Sequence, residues 1–189
     1  MRDRVKSLLA EKAILFTELY PKSPFFWSMF ERPVKKRNGD RKLGYGWCGR
    51  MCRWGTTEKT RTLNSYKKGA FVYIGIAADE TRRLERLNNQ DQKKLFPLVG
   101  AGMTEADCLA YCRDRGFGWM EGGVDLYDVL DRVSCWCCWN KNLKELKGYY
   151  QKLPKYWKQL KDLEEKTGIP YRNGVSLVDL EKRFQEKAY

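Results

Sequence analysis

The sequence predicts an α/β chain with a helical C-terminal extension. Three observations carry that expectation. An apolar run of strand length, Phe71-Val72-Tyr73-Ile74-Gly75-Ile76-Ala77, is rich in β-branched residues and lacks polar alternation, as in a strand buried on both faces of a parallel sheet. Segments of helical character follow it in alternation with a second short apolar run at Leu95–Val99. Beyond residue 140 the pattern becomes purely helical.

Taken in order, residues 2–19 read as a helix, with Val5, Leu8, Leu9, Leu15 and Phe16 at three- and four-residue spacing, stopped by Pro21 and Pro24. The aromatic run Phe25-Phe26-Trp27-Met29-Phe30 is core material. The basic segment from Arg32 to Lys42 contains the turn signal Asn38-Gly39 and is expected to form an exposed loop or hairpin tip. Thr56 or Thr57 is placed to cap a helix reaching about Tyr66. A charged helix is expected over 80–89. Another opens at Thr104-Glu105-Ala106-Asp107, where the threonine caps, two acids sit in the positive first turn, and Gly116 ends it. Helices follow over 141–151, 154–167 and 176–187, the second begun by Pro154 and closed by Gly168. The expected organisation is an α/β domain over 1–140 with the helical extension 141–189 packed on it.

The 189 residues carry a net charge of +13, concentrated at the front: residues 1–70 hold 17 basic and 6 acidic side chains. A basic first third suits a polyanionic partner such as a nucleotide, a sulfonucleotide or nucleic acid. There is no histidine, which excludes mixed Cys/His zinc ligation and Ser-His-Asp or Cys-His catalysis within the chain. The start of the sequence does not read as a secretory signal, and no run nears the roughly 20 apolar residues of a membrane span. A cytoplasmic, reducing location without membrane partners is expected, where close cysteine pairs favour metal or redox chemistry over structural disulfides.

Five of the seven cysteines lie in two clusters, Trp47-Cys48-Gly49-Arg50-Met51-Cys52-Arg53-Trp54 and Arg132-Val133-Ser134-Cys135-Trp136-Cys137-Cys138. Cys135 and Cys138 have Cys-x-x-Cys spacing, and Cys48 and Cys52 form a second close pair. Two such pairs supply the four ligands of a tetrahedral zinc or an iron–sulfur cluster. Cys137 is open to two readings, substitute ligand or packed thiol. Cys108 and Cys112, one turn apart on the 104–115 helix, read as core-facing. Gly44-Tyr45-Gly46-Trp47-Cys48-Gly49 matches a dinucleotide fingerprint in letters only: no strand precedes it and no acid follows at the required distance.

Several segments together resemble the phosphoadenosine phosphosulfate (PAPS) reductase-like family, within the adenine nucleotide alpha-hydrolase-like, Rossmann-like superfamily. Arg53-Trp54-Gly55-Thr56-Thr57-Glu58-Lys59 is similar to that family's Arg-Trp-Cys-Thr-x-x-x-Lys segment, with glycine in place of cysteine and the lysine one place early. Gly75-Ile76-Ala77-Ala78-Asp79-Glu80-Thr81 resembles its Gly-x-Arg-x-x-Glu-Ser strand end, with Ala77 where arginine is usual. Pro97-Leu98, Gly102-Met103-Thr104-Glu105-Ala106-Asp107 and Tyr127…Arg132…Cys135-Trp136-Cys137-Cys138 complete the order. The resemblance covers about Phe25 to about Glu164. It implies a partial parallel sheet of few strands and a 4Fe-4S cluster, with zinc as the alternative, on Cys48, Cys52, Cys135 and Cys138. It also implies an adenine nucleotide or sulfonucleotide gripped by Arg53, Thr56 and Lys59, with Arg82, Arg83 and Arg132 as further anion contacts. The sequence contains no Ser-Gly pair, hence no Ser-Gly-Gly-x-Asp-Ser phosphate loop. The expectation is a C-terminal portion of the family fold that is inactive alone and completed by a separately encoded N-terminal half. The competing expectation is a metal-stapled basic module that binds nucleic acid, in DNA modification or phage defence.

Overall fold

The structure is a computed structural model that describes residues 1–47, 52–88, 93–172 and 174–186. It mixes helices with a few very short strands, and the chain divides into two compact units. One comprises residues 1–19 and 62–118, the other 20–61 and 119–189.

In the first unit, helix α1 spans Arg2–Glu11 rather than the predicted 2–19. Ala13 adopts a left-handed φ of 53°, its N–H donates to Ala10 O at 3.0 Å, and Ile14 N–H donates to Leu9 O at 2.8 Å. This is a Schellman closure with alanine where glycine is usual, so no residue type announced the stop. Strand β3 (Val72–Tyr73) pairs in parallel with β4 (Lys94–Leu95), the one parallel pair among the described residues. The predicted strand 71–77 is thus much shorter, and it is not buried on both faces: Phe71 is 67% and Tyr73 72% exposed, whereas Ile76 is fully buried. The run predicted as a strand over 95–99 leaves β4 at once for a short helix, α4 (Pro97–Gly100), begun by its proline. Helices α3 (Thr81–Asn88) and α5 (Glu105–Asp114) lie where the sequence placed them. Thr104 caps α5 in a full capping box with Asp107, whose carboxyl is held below its usual range by the Thr104 hydroxyl and N–H.

The second unit holds the main core. Helices α6 (Leu143–Lys152), α7 (Pro154–Thr167) and α8 (Leu177–Glu186) bury Leu146, Leu160 and Leu177 completely. Each helix is defined locally: Asn142 forms a capping box with Glu145, Pro154 begins α7, and Gly168 closes it at φ 63°. Gly148 in mid-α6 admits Val129 closely, since a Cβ there would meet Val129 Cγ1 at 2.8 Å. Met29, Phe30, Val129 and Leu130 join the same core, so the C-terminal helices pack against earlier segments of this unit.

The aromatic run folds into a π-helical turn at Trp27–Glu31, followed by an antiparallel hairpin of β1 (Pro33–Lys35) and β2 (Arg41–Leu43). The expected basic hairpin tip is therefore present. A second hairpin, β5 (Met120–Glu121) with β6 (Val124–Asp125), turns through Gly122-Gly123. The helix expected to start at Thr56 or Thr57 begins at Arg53, runs through a π turn at Gly55–Lys59, and continues as α2 (Thr60–Tyr66). Thr56 lies inside it and is not its cap: its hydroxyl donates to Cys52 O at 2.9 Å, back to the preceding turn.

No helix among the described residues is long and apolar enough to cross a membrane.

Candidate functional site

Both cysteine clusters belong to the second compact unit. Cys48 lies outside the described residues, and its segment is bracketed by two anchored tryptophans. Trp47 Nε1 donates to Ile169 O at 2.9 Å, and Trp54 Nε1 donates to Ser23 O at 3.0 Å. Cys52 sits at the entrance to the helix, where its sulfur accepts the Gly55 N–H at 3.3 Å. A side chain at Gly55 would start 3.6 Å from that sulfur, so the glycine keeps the space beside Cys52 clear.

At the other cluster, Cys138 N–H donates to Cys135 O at 2.9 Å and closes the Cys-x-x-Cys turn. The turn sorts its thiols. Cys135 is exposed, Cys138 half-buried, and Cys137 buried in the core. Burial, reinforced by the neighbouring Cys135, pushes the Cys137 thiol up to about 12. Of the two sequence readings of Cys137, its place among the buried core residues accords with the packed thiol. Cys108 and Cys112 are half-buried on α5, in the other unit; burial also raises the Cys108 thiol, ahead of the nearby Cys112.

A residue that sequence reading did not single out lies against this turn. Lys141 is only 1% exposed, yet its ammonium donates to Cys135 O at 2.6 Å and Ser134 Oγ at 3.1 Å and sits 4.9 Å from the Tyr149 ring centre. Burial lowers its pKa, while the adjacent Cys138, Cys137, Glu145 and Cys135 pull it back up. The only signal in the sequence was a lysine three residues after Cys138. The loop around it is fixed on all sides. Glu145 accepts from Asp131 N–H at 3.0 Å and Asn142 N–H at 2.7 Å, and Asn142 Nδ2 donates to Asp131 Oδ2 at 2.7 Å. Tyr171, fully buried, donates its hydroxyl to Cys138 O, and Arg172 donates to Lys141 O.

The flanking tryptophans of the two clusters meet on one aromatic layer. Trp54 stands edge-on to Phe25 at 5.3 Å, Phe25 to Phe26 at 5.2 Å, and Phe26 lies 6.2 Å from Trp136. On the other side Phe30 meets Trp47 at 5.0 Å, and Trp47 meets Tyr171 at 4.9 Å. Trp54 and Trp136, more than eighty positions apart, are thereby linked through the adjacent rings of Phe25 and Phe26. Among the described residues, no three Cys, Asp or Glu side chains are grouped so as to hold a metal ion.

The anion residues divide between the units. Arg53, Thr56 and Lys59 occupy the first turns after Cys52, and Arg132 is exposed in the loop before Cys135, all in the second unit. Lys59 Nζ lies 5.2 Å over the Trp54 ring. Arg82 and Arg83 belong to the first unit, at the start of α3, where Arg83 pairs with Glu80 at 3.1 Å. There Asp79 accepts Glu105 N–H at 3.0 Å, so these acids organise the backbone around α3 and α5. Ala77, where the resembled motif carries arginine, is buried.

Comparison of the chain with protein-family models, curated proteins and solved structures finds no match.

Proposed function

We propose that this chain is a PAPS reductase-type protein of sulfur or nucleotide metabolism. In this reading Cys48, Cys52, Cys135 and Cys138 hold one shared 4Fe-4S cluster or zinc, beside an anion site for an adenine nucleotide or sulfonucleotide. The observation that supports it most is the Cys135–Cys138 turn lying against the buried ammonium of Lys141. A lysine is almost never fully buried without compensating negative charge. Its ammonium donates to one carbonyl and one hydroxyl, both neutral, with the Glu145 carboxylate close enough to favour its charged form. A metal-bound thiolate set carries net negative charge and would add to the compensation that Glu145 gives. Cys135 and Cys138 offer two thiols outside the core in Cys-x-x-Cys spacing, with the intervening Cys137 withdrawn into it.

A bound group would cross-link the two cysteine segments and, as a cluster, supply redox chemistry. The remaining roles fall to the chain itself. Lys141 and Tyr171 hold the turn in shape through its carbonyls, and the Gly55 N–H orients the Cys52 sulfur. Arg53 and Lys59 present cations to a phosphate or sulfate on the helix that follows, and Arg132 does so from the loop before Cys135. A phosphate cradle of the Ser-Gly-Gly-x-Asp-Ser kind is absent from these residues, so turnover requires that element from another polypeptide segment, such as a separately encoded N-terminal half.

Anaerobic purification with visible absorbance and iron, sulfide and zinc analysis tests the centre and separates cluster from zinc. Cys52→Ser and Cys135→Ser should each abolish stoichiometric metal, whereas Cys137→Ser should retain it. Arg53→Ala should weaken sulfonucleotide binding by about 1.5–3 kcal/mol in calorimetry. Metal-free protein with wild-type stability and freely reactive Cys52, Cys135 and Cys138 would overturn the reading.

A further inference from the structure

The β1–β2 hairpin is built in a way that core packing does not explain. Between Arg32 and Lys42 it carries six basic residues and one acid. Its register sets Lys35 directly opposite Arg41, and like charges facing each other across a strand pair destabilise it. Asp40 is engaged with Lys36, 3.7 Å away, and with Asn38. Lys35, Arg37 and Arg41 are exposed and make no ion pair among the described residues. The arm is nevertheless rigidly mounted. Gly44 N–H donates to Arg32 O and Gly46 N–H to Met29 O, both at 2.6 Å, the second of them on the buried Ser28–Phe30 segment. Gly44 has φ +55°, and a Cβ there would lie 2.0 Å from Met29 O, so only glycine allows this seat.

At the foot of the hairpin opens a cleft of about 400 Å³ whose eight lining residues include Lys42, Tyr45, Trp47, Trp139, Ile169 and Pro170. Three of the eight are aromatic, and each ring has a neighbour that holds it. Trp47 is pinned by its Ile169 hydrogen bond, Tyr45 lies 4.6 Å beneath the Arg32 guanidinium, and Trp139 is 5.4 Å from that of Arg172. A cationic track leading into an aromatic cleft is the combination that single-stranded nucleic acid requires. Phosphates follow the charges and a base stacks on the rings. A base held in a duplex is stacked between its neighbours and cannot enter such a cleft.

We propose that the hairpin and the cleft at its foot form a binding site for single-stranded nucleic acid. Lys35, Arg41 and Lys42 take the phosphates, and a base enters between Trp47 and Trp139. The site goes beyond the metal and sulfonucleotide reading and does not depend on it.

The test is fluorescence anisotropy with a labelled single-stranded DNA dodecamer, the same sequence as RNA, its duplex, and an abasic oligomer, titrated across salt. Both single strands should bind more tightly than the duplex and the abasic oligomer, and tryptophan emission should be quenched on binding. Removing two phosphate contacts with Lys35→Ala/Arg41→Ala should weaken binding and flatten the log–log salt slope by about 1.4. Trp139→Ala should cost roughly tenfold or more at unchanged slope. The hairpin variant alters only exposed side chains, so it reports even if Trp139→Ala fails to fold. Absence of binding at low salt would overturn the site. So would equal affinity for duplex, abasic oligomer or acidic vesicles, or an unchanged slope in the hairpin variant.

Discussion

Replacing Tyr171 with phenylalanine isolates the bond that ties the core to the cysteine turn. The ring is fully buried against Trp47, 4.9 Å away, and phenylalanine keeps that packing. Only the hydroxyl is lost, and with it the hydrogen bond to Cys138 O. A neutral hydrogen bond contributes about 0.5–1.5 kcal/mol net, and an orphaned buried carbonyl costs about 1–3 kcal/mol. Cys138 O would retain a long contact from Lys141 N–H at 3.5 Å, which places the expected loss at about 1–2 kcal/mol. For a chain of this length that lowers Tm by roughly 2–8 °C. Urea and thermal unfolding of metal-free protein measure this, with Tyr150→Phe as the control. Among the described residues the Tyr150 hydroxyl bonds to the exposed Gln185, and its loss should change little. Metal affinity, read by competition with a chelator, should fall as well, because the carbonyl shapes the turn. A Tyr171→Phe midpoint indistinguishable from wild type, with unchanged metal affinity, would refute the claim that this hydroxyl holds the turn.

Lys141→Met should lower metal affinity by roughly 10–100-fold, as loss of a partner behind the ligands typically does, while changing metal-free stability little; equal affinity in the two proteins would remove Lys141 from the site. Tyr149 and Tyr171 have hydroxyls raised above their ordinary value, by burial first and by nearby ionisable groups next. The folded protein therefore keeps protons that the unfolded chain releases, so this stabilisation is complete below pH about 10 and is lost as pH rises beyond it. Denaturant midpoints should fall in that range, and Tyr149→Phe should lessen the slope by up to about 1.4 kcal/mol per pH unit; a flat profile would contradict the burial. Gly44→Ala combines a left-handed φ with a Cβ against Met29 backbone and should cost about 2–5 kcal/mol, with faster tryptic cleavage at Arg37 and Arg41; wild-type protease resistance would count against the mount.

Helices α5 to α8 were legible from the sequence because their signals are local. Thr104 and Asp107, Asn142 and Glu145, Pro154 and Gly168 act within one turn of the residues they cap, and apolar spacing marks the buried face. The basic hairpin was legible for the same reason. The end of α1 was not, since a Schellman closure on Ala13 carries no glycine to announce it. The apolar run at 71–77 was read as a doubly buried strand, but composition cannot say whether neighbours arrive to cover both faces, and only Val72 and Tyr73 are paired. Tertiary structure alone decided the fate of Lys141, which by type belongs on a surface. Its burial follows from partners far along the chain: Arg172 is 31 positions from the carbonyl it binds, and Tyr171 is 33 positions from Cys138. The meeting of Trp47 with Ile169 spans 122 residues. Such contacts form only when the core has brought the segments together, so no window of sequence contains the physics that buries this lysine rather than leaving it solvated.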